Sequence, residues 1–375
     1  MKIWVIGRGY PTTDNRMWGS FELEQAKLLS RNGNDVCYIT VTLSFFDRKD
    51  PRGLRAFEDE GVKVYAYSHF YFPGKAGIYL EGFEDKCWRT VFRRVEKENS
   101  LPDIIHIHYP SMISSINEIE TYRRQGVKLF VTEHWSRVLL DNLKKHELAR
   151  LQYYASKASC FVCVSEVLQE AVRRLVNVSA PMEVIPNIVS PVFFEAAGRK
   201  TDEGITFITV GRLVPLKQFD AVIQQFLKEF SGDERARLRI IGSGSERKTL
   251  EKIAGGNPQI SFTGELSLAE TAKEVAKADA LVSYSKYETF AAPVAEAWAC
   301  GKPVIVSSAS GISLYVNKEN GLVVDSNNDD ALKSALRHIY DNHKSYSPEL
   351  ISGFAKDHFS DAAVMNKLNR TYMTY

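Results

Sequence analysis

The sequence predicts an α/β protein made of two doubly wound, Rossmann-like domains that face each other across a cleft. Three observations lead to this prediction: the length, a repeated alternation of short apolar runs with amphipathic stretches, and one pause in that alternation. The chain has 375 residues, which at roughly 150 residues per domain corresponds to two domains. Strands that alternate with helices are typical of a parallel sheet covered by helices.

In the first half of the chain, runs rich in β-branched and aromatic residues predict strands. These strands cover Lys2–Ile6, Val36–Val41, Val62–Tyr67, Ile104–His108, Lys128–Thr132, Phe161–Val164 and Glu183–Ile185. Amphipathic segments between them, such as Phe21–Ser30 and His146–Lys157, predict helices.

The alternation pauses over Pro186–Gly204, where prolines and a polar run, Arg199–Glu203, predict a linker. Further strands are then expected at Ile205–Val210, Leu238–Ile241, Ile260–Phe262, Ala280–Tyr284, Pro303–Ser307 and Leu322–Val324. We therefore expect a first domain over residues 1–188, a linker over 189–204 and a second domain over 205–359. A last helical stretch, 360–375, is expected to pack back onto the first domain.

Composition and charge exclude several classes of protein. Lys and Arg number 48 against 46 Asp and Glu, which leaves a net charge of +2 and no global field for binding nucleic acid. The apolar run within Met1–Gly7 is too short for the apolar region of a signal peptide, and no stretch of the sequence approaches the roughly 20 apolar residues needed to span a bilayer. Five scattered cysteines fit reduced core thiols. We therefore expect a cytoplasmic protein, with peripheral contact to the inner membrane as an option.

Polar residues directly after strands are the candidate site, because doubly wound folds bind ligands at the carboxyl ends of their strands. Gly211 and Arg212 follow one predicted strand, and Lys217 comes just before a helical run. Two cations beside a helix N-terminus suit a diphosphate. The alternative, that both cations only cap and solvate a loop, is equally good on this segment alone.

The segment Ala280–Ser307 predicts a strand, a loop, a helix and a second strand. Pro293 fits the first turn of the helix and Gly301 its end. Glu288 lies in the loop, where capping of the helix would explain it. Glu296 is expected on the first exposed turn of a helix otherwise made of apolar residues, where an acid needs a polar partner such as a ligand hydroxyl.

Together these motifs resemble the GT-B glycosyltransferases of family 4, over essentially the whole chain. The resemblance depends on the pair Glu288 and Glu296, on Gly211-Arg212 with Lys217, and on motifs that follow the same order in the first half. Those motifs are Gly19-Ser20-Phe21-Glu22, Pro102–His108, Thr132-Glu133-His134, Val164-Ser165 and Ile185-Pro186-Asn187.

The resemblance implies a role for each matching residue. Arg212 and Lys217 would hold the donor diphosphate, Glu296 the ribose, and Glu288 the transferred sugar. The donor site as a whole would comprise Gly19, Gly211, Arg212, Lys217, Gly242, Glu288, Phe290, Ala291 and Glu296. His134 would touch the sugar, and the catalytic set would be Glu288, His134, Arg212 and Lys217.

The implied reaction is a retaining, metal-independent transfer of a sugar from a nucleotide sugar to a saccharide or lipid-linked saccharide, in bacterial surface polysaccharide or lipopolysaccharide assembly. No cofactor is expected, because cations and helix amides can stabilise the leaving diphosphate, and the sequence has no Asp-x-Asp motif. The chain departs from the family pattern at two places. Many relatives have Gly where this chain has Ala291, and many have an acidic residue in the segment that corresponds to Ser310–Tyr315, where this chain has none.

Other interpretations stay open. Gly7-Arg8-Gly9 after the first strand would suit a nicotinamide-dependent oxidoreductase, but the third glycine of that motif is missing. A GT-B sugar-nucleotide epimerase or a partner that only binds would share the fold. His106 and His108 share one strand face and are expected to shape the cleft, since no third metal ligand is evident.

Two surfaces of the first domain are candidates for contact with an acceptor or a membrane. One is the aromatic segment His69–Leu80, for which a loop folded over its own domain is an equal alternative. The other is a basic helical face of Arg89, Arg93, Arg94 and Lys97, for which a solvated face is the commoner outcome.

Overall fold

The computed structural model describes residues 1–12, 18–44, 52–70, 78–196 and 204–375. Contacts divide the chain into two compact units. Unit 1 comprises Met1–Ile185 and Met365–Tyr375, and unit 2 comprises Pro186–Val364. Much of the aromatic segment His69–Leu80 and the polar run Arg199–Glu203 lie outside the described residues.

Unit 1 is built on an eight-stranded sheet. Its strands are β1 (Lys2–Gly7), β2 (Asp35–Ser44), β3 (Gly53–Asp59), β4 (Val62–Phe70), β5 (Ile104–His108), β6 (Lys128–Glu133), β7 (Cys160–Cys163) and β8 (Met182–Val184). Their order in the sheet is β3-β4-β2-β1-β5-β6-β7-β8. All neighbours pair in parallel except β3, which runs antiparallel to β4 at one edge.

Helices of unit 1 join the parallel strands, as crossover connections require. They are α1 (Ser20–Arg31), α2 (Ile78–Glu98), α3 (Ile116–Arg124), α4 (Ser136–Leu139), α5 (Lys145–Lys157) and α6 (Glu166–Leu175). Trp4 of β1 is buried between α2 and α3, with its ring 6.3 Å from that of Phe92 and 5.3 Å from that of Tyr122. These aromatic side chains anchor the helices to the sheet.

Unit 2 has a six-stranded sheet, parallel throughout. Its strands are β9 (Ile205–Val210), β10 (Ala236–Ile241), β11 (Ile260–Gly264), β12 (Ala280–Ser283), β13 (Val304–Ser307) and β14 (Gly321–Val324). Its helices are α7 (Pro191–Glu195), α8 (Phe219–Phe230), α9 (Arg247–Ala254), α10 (Leu268–Lys277), α11 (Ala292–Ala299), α12 (Asp329–Asn342) and α13 (Pro348–Phe359). A last helix, α14 (Asp361–Thr374), begins in unit 2 and belongs to unit 1 from Met365 onward.

The core of unit 2 forms where apolar helix faces meet the central strands. Phe226 and Phe230 lie one turn apart on α8 and are fully buried. Both rings pack against Phe207 of β9, at centroid distances of 6.3 and 5.7 Å. Burial of this aromatic cluster fixes α8 against the sheet and so fixes the turn that precedes the helix.

Each sheet has one point at which the strand order reverses. In unit 1 this point lies between β1 and β5, and in unit 2 it lies between β9 and β12, whose sheet order is β10-β9-β12. Strands β9 and β12 share only two registered pairs, which involve Phe207 and Ile208 of β9. The chain leaves the two strands in opposite directions beyond these pairs, so a crevice opens at their carboxyl ends.

The predicted α/β class with two parallel-sheet, Rossmann-like domains is confirmed. The predicted strands all occur, most within one or two residues of their expected ends. Two features differ: the antiparallel strand β3 is additional, and the expected linker contains the short helix α7. The last helical stretch is separated from α13 at Ser360, as expected. Among the described residues, no helix is long and apolar enough to cross a membrane.

Candidate functional site

The turn after β9 is shaped by a close approach of two backbone segments. The amide of Gly211 donates to the carbonyl of Ile241 at 3.0 Å, and Gly242 follows directly with φ +136°. A Cβ atom on Gly242 would lie 1.9 Å from the carbonyl oxygen of Gly211. Only glycine fits there, because any side chain would collide with backbone. Two of the three glycines of the predicted donor site, Gly211 and Gly242, therefore lie in contact at the ends of neighbouring strands.

Lys217 and Glu288 form an ion pair between their Nζ and Oε1 atoms. Lys217 ends a short 3-10 turn, Pro215–Lys217, and α8 begins two residues later at Phe219. Each side chain is about one-sixth exposed, at 17% and 16%, so both groups reach solvent from a partly enclosed position. The structure thus brings together two predicted site residues that are far apart in the sequence.

The loop that carries Glu288 is held on both sides. Ser285 donates its hydroxyl to Oε1 of Glu288 at 3.1 Å. The backbone of Glu288 pairs with the segment after β13, where its amide donates to Ala309 at 3.2 Å and its carbonyl accepts from Gly311 at 2.9 Å. The carboxylate is therefore positioned by neighbours from three segments of unit 2.

Arg212 follows Gly211 and is exposed. Its guanidinium has no ion-pair or hydrogen-bond partner within the described ranges. The backbone next to Arg212 is held in place, because the amide of the buried Leu213 donates to the carbonyl of Ser243 at 2.8 Å. Arg212 is thus a charged side chain on a rigid turn, available to an anion in solution.

The helix after Glu288 begins at an unusual residue. Ala291 has φ +71° and ψ +66°, the left-handed conformation that glycine adopts most readily. Phe290 before it is buried, and its ring contacts that of Phe359 at 5.7 Å. Pro293 lies in the first turn, as predicted, and α11 has no side-chain cap at this end. Pro293 has no N–H, and the amide of Val294 donates to the carbonyl of Ala291 at 3.0 Å. No side-chain cap competes with a ligand for the amide of Ala292.

Glu296 lies on the second turn of α11 and is part-buried, not fully exposed as expected. Burial raises its pKa to about 7. Within the described residues, this carboxyl group has no hydrogen-bond partner. A part-buried carboxylate without a partner is costly, which makes Glu296 a good candidate for accepting hydrogen bonds from a ligand.

In unit 1, Gly19 lies at the carboxyl end of β1, just before α1. It has φ +79°, and a Cβ atom there would lie 1.9 Å from the carbonyl oxygen of Gly9. Tyr38 donates its hydroxyl to that same carbonyl at 2.7 Å. These contacts hold the backbone at Gly9 against the backbone at Gly19. The two backbones lie so close together that only glycine fits at position 19.

His134 follows β6 and is held by three neighbours. Its Nε2 lies 2.9 Å from Nδ1 of His108, and its ring stacks on Tyr109 with centroids 4.8 Å apart. Its amide donates to Oε1 of Glu133 at 2.9 Å. The Glu133 carboxyl also accepts from Trp135 and Ser111, while burial raises its pKa to about 7.

Sequence reasoning missed the group around Arg8 as a site feature. Arg8 pairs with the buried Glu22, Nε to Oε1, at 3.1 Å. Its guanidinium also lies over the ring of Tyr109 at 4.0 Å and near that of Trp18 at 4.9 Å. The positions of Arg8 and Tyr109 could have indicated a site. The two residues directly follow β1 and β5, the strands on either side of the point where the strand order reverses.

The structure assembles part of the predicted site by direct contact. Lys217 forms an ion pair with Glu288, and the backbone of Gly211 lies in contact with that of Gly242. No hydrogen bond or ion pair between described residues joins Arg212 or Glu296 to that ion pair. Gly19 and His134 belong to unit 1.

The predicted basic face of α2 is partly neutralised, since Arg89 pairs with Glu118 at 3.4 Å and Arg94 with Glu98 at 2.5 Å.

Two parallel-sheet, Rossmann-like units are the architecture of the GT-B class of glycosyltransferases, and solved structures of that class resemble this chain over its whole length. Sucrose-phosphate synthase from Thermosynechococcus elongatus has a TM-score of 0.79 at 17% identity, over 100% of this chain and 98% of that chain. Anabaena HepE, solved in complex with UDP, has a TM-score of 0.74 at 14% identity, over 100% of both chains.

The family is given by sequence. A family model described as glycosyl transferases group 1 matches residues 193–348, and one described as Glycosyltransferase Family 4 matches residues 23–193. The chain belongs to the family 4 glycosyltransferases, as its motifs predicted.

Two relatives illustrate the match. An uncharacterized glycosyltransferase of Methanocaldococcus jannaschii is 28% identical over 88% of this chain and 87% of its own length. The lipopolysaccharide core biosynthesis glycosyltransferase LpsD of Rhizobium meliloti is 29% identical over 50% of this chain and 55% of its own length. The oxidoreductase and epimerase alternatives are not favoured.

Proposed function

We propose that this glycosyltransferase is a retaining, metal-independent enzyme that moves a sugar from a nucleotide-sugar donor to a saccharide or lipid-linked saccharide. The observation that carries the proposal is the ion pair between Lys217 and Glu288. Family resemblance assigns Lys217 to the diphosphate and Glu288 to the sugar. A contact between them suits the point where diphosphate and sugar join in the donor.

The remaining residues of unit 2 fit the other parts of a nucleotide sugar. Arg212 would share the diphosphate with Lys217, because a guanidinium can bind two oxygens while an ammonium supplies a compact charge. Glu296 would accept hydrogen bonds from the ribose hydroxyls. The amides of Phe290 and Ala291 would meet the sugar and its phosphate at the start of α11. From unit 1, Gly19 and His134 are assigned by resemblance to the phosphate and the sugar.

The proposed chemistry keeps the configuration at the anomeric carbon. The acceptor hydroxyl attacks that carbon from the face that the diphosphate leaves. The bond from carbon to phosphate oxygen breaks as the new glycosidic bond forms, and the leaving oxygen takes the hydroxyl proton. Arg212, Lys217 and the α11 amides would stabilise the negative charge that develops on the diphosphate, which is the role otherwise given to a metal ion.

Assembly of surface polysaccharide or lipopolysaccharide is the proposed setting, and the named role of the Rhizobium relative supports it. Such a reaction would take place at the cytoplasmic face of a membrane, where nucleotide sugars and lipid-linked acceptors meet.

The test begins with a panel of UDP- and GDP-sugars, screened for thermal stabilisation of the full chain. The stabilising donor is then incubated with saccharide acceptors, with and without EDTA, and the product's anomeric configuration is read by NMR. We expect transfer that is insensitive to EDTA and retains configuration. An inverted product would contradict the retaining mechanism, and conversion of the donor without acceptor would support the epimerase alternative instead.

A further inference from the structure

We propose that Trp135 is a stacking residue for the acceptor saccharide, and that it helps to determine which acceptor the enzyme takes. This rests on the proposed function, in which the acceptor is a saccharide or a lipid-linked saccharide. Three features of Trp135 carry it: its place directly after β6, the fixed geometry of its backbone and ring, and the surface that its indole leaves to solvent.

Trp135 differs from the tryptophans that build the cores of the two units. Trp4, Trp88 and Trp298 are buried, whereas Trp135 is part-buried. Among the described residues, its indole N–H has no hydrogen-bond partner. It lies at the carboxyl end of the unit 1 sheet, where doubly wound folds bind ligands. A tryptophan that keeps part of its ring accessible at this edge offers apolar surface to a ligand.

The backbone of Trp135 is fixed by the same carboxyl group that fixes His134. Oε1 of the buried Glu133 accepts from the amide of His134 at 2.9 Å and from that of Trp135 at 2.8 Å. The carbonyl of Trp135 accepts from the amide of Val138 at 3.1 Å, in the first turn of α4. Because both backbone groups are bound, the ring projects from a fixed point, which lowers the entropy that binding a ligand costs.

The indole ring is supported on one face by Arg137. The guanidinium carbon of Arg137 lies 4.6 Å from the ring centroid. Its Nε donates to the carbonyl of Asn142 at 2.7 Å, and its Nη1 donates to Oε1 of the buried Glu147 at 3.0 Å. Since Arg137 covers one face and is itself held by two bonds, the part of the ring that reaches solvent is the opposite face or an edge.

The side chains of His134 and Trp135 lie against different parts of unit 1. The His134 ring contacts His108 and Tyr109 at the end of β5, whereas the Trp135 ring contacts Arg137 on α4. Two neighbouring side chains that diverge in this way suit two different sugars. Resemblance assigns His134 to the sugar of the donor, so Trp135 suits the sugar of the acceptor.

An accessible indole surface matches the chemistry of an uncharged sugar. One face of a pyranose ring presents C–H groups, whose slight positive charge suits the negative face of an aromatic ring. A sugar hydroxyl can also accept a hydrogen bond from the indole N–H. The charge of Arg137 is paired with Glu147, so Trp135 and its support add no net charge. This favours an uncharged sugar over an anionic group as the ligand.

NMR of the full chain labelled with ¹⁵N-tryptophan tests the contact directly. The Trp135 signal is assigned from Trp135→Phe, and the chain is titrated with the methyl glycosides of glucose, galactose, mannose and N-acetylglucosamine. We expect at least one glycoside to shift the indole signal of Trp135 and to leave those of the buried Trp4, Trp88 and Trp298 unchanged. If no glycoside shifts the Trp135 signal, or if all the tryptophan signals shift alike, the inference is wrong.

Kinetics with the identified donor and acceptor test the consequence for transfer. We expect Trp135→Ala to raise the acceptor KM roughly tenfold and to keep kcat and the donor Kd within about twofold, because a contact made equally in the ground and transition states affects binding alone. Trp135→Phe keeps an aromatic face and should recover most of the acceptor KM. Leu140→Ala is the matched control, because Leu140 is a 42% exposed apolar residue at the end of α4.

Donor binding, measured by calorimetry, separates the outcomes. If Trp135→Ala weakens donor binding and leaves the acceptor KM unchanged, Trp135 serves the donor and the inference is wrong. If Trp135→Ala equals the wild type in all three constants, the inference is wrong while the proposed function stands. If the wild-type chain transfers sugar from no donor, the proposed function fails, and the NMR titration still decides whether a sugar contacts Trp135.

Discussion

At the scale of single residues, the candidate site of unit 2 combines paired and unpaired charges. Lys217 neutralises Glu288, whereas Arg212 is exposed and Glu296 is part-buried without a hydrogen-bond partner among the described residues. A donor diphosphate would therefore meet one cation that is already committed to an acid and one that is available. This difference leads to separate predictions for Lys217 and Glu296.

Replacing Lys217 is expected to damage both the donor and the acid beside it. Lys217→Ala would remove a diphosphate contact and leave Glu288 without its counter-ion, so we expect kcat to fall by about 100- to 1000-fold. Steady-state kinetics with the identified donor measure this. Lys228→Ala is the matched control, because Lys228 is an exposed lysine on the last turn of α8. Equal activity of the two variants would remove Lys217 from the proposed mechanism.

Glu296 is expected to make donor binding depend on pH. Its pKa of about 7 means that it is mostly protonated at pH 6 and mostly ionised at pH 8. The ionised form accepts hydrogen bonds from ribose hydroxyls, so affinity should rise by up to about tenfold over this range. Calorimetric titration with an intact nucleotide sugar measures this, because its diphosphate does not titrate there.

Glu296→Gln provides the comparison for that titration. The amide cannot ionise, so this variant should bind the donor more weakly at pH 8 and lose most of the rise between pH 6 and 8. Other groups that titrate near pH 7, including Glu133, affect both proteins alike. An identical pH slope in the two proteins would show that Glu296 does not bind the ribose in its ionised form.

Much of this residue-scale arrangement was beyond sequence reasoning. The motif predicted that Lys217 and Glu288 both serve the donor, but their direct contact depends on the side-chain conformations at the ends of β9 and β12. The partial burial of Glu296 depends on packing around α11. For His134, no sequence pattern indicated that His108 would lie at the edge of its ring.

At the scale of elements, the sheets were largely predictable because buried parallel strands read as apolar, β-branched runs. The missed strand β3 shows where that signal ends. Its sequence, Gly-Leu-Arg-Ala-Phe-Glu-Asp, contains no β-branched residue. Antiparallel pairing with β4, including Glu58 opposite Lys63, makes it a strand, so the neighbouring strand overrides its weak intrinsic preference.

The contact between the turns that follow β9 and β10 permits a prediction about stability. Gly242→Ala would place a methyl group against the carbonyl of Gly211. Gly256→Ala is the control, because Gly256 also has positive φ, +71°, but has no atom within 4 Å of its Cβ position. We expect Gly242→Ala to lower the free energy of unfolding by about 2–3 kcal/mol more than the control. Urea denaturation of both variants measures the difference, and equal losses would show that the turn relaxes around the methyl group.

At the scale of the whole molecule, unit 1 is completed by a segment distant in sequence. Tyr372 of α14 is buried, with its ring 4.8 Å from Phe130 of β6, and its hydroxyl meets Nδ1 of His106. The sequence suggested that the last helical stretch would return to the first domain, but it offered no means of naming these contacts.

Removing the Tyr372 ring should loosen unit 1 selectively. Tyr372→Ala would leave a cavity beside Phe130 and is expected to cost about 3–5 kcal/mol. Met373→Ala is the control, because Met373 is 78% exposed and should change stability by less than about 0.5 kcal/mol. Hydrogen exchange resolved by segment should show faster exchange in β5 and β6 for Tyr372→Ala and unchanged exchange in β9 and β12. Equal protection of β5 and β6 in both variants would contradict this.

The division of α14 also bears on how the chain is made. Unit 2 is contiguous, whereas unit 1 consists of Met1–Ile185 and Met365–Tyr375. A ribosome synthesises the residues that cover His106 only after all of unit 2 has been made. Since the completion of unit 1 requires Tyr372, the histidine cluster around His134 cannot be fully closed off from water until the chain beyond unit 2 has been made.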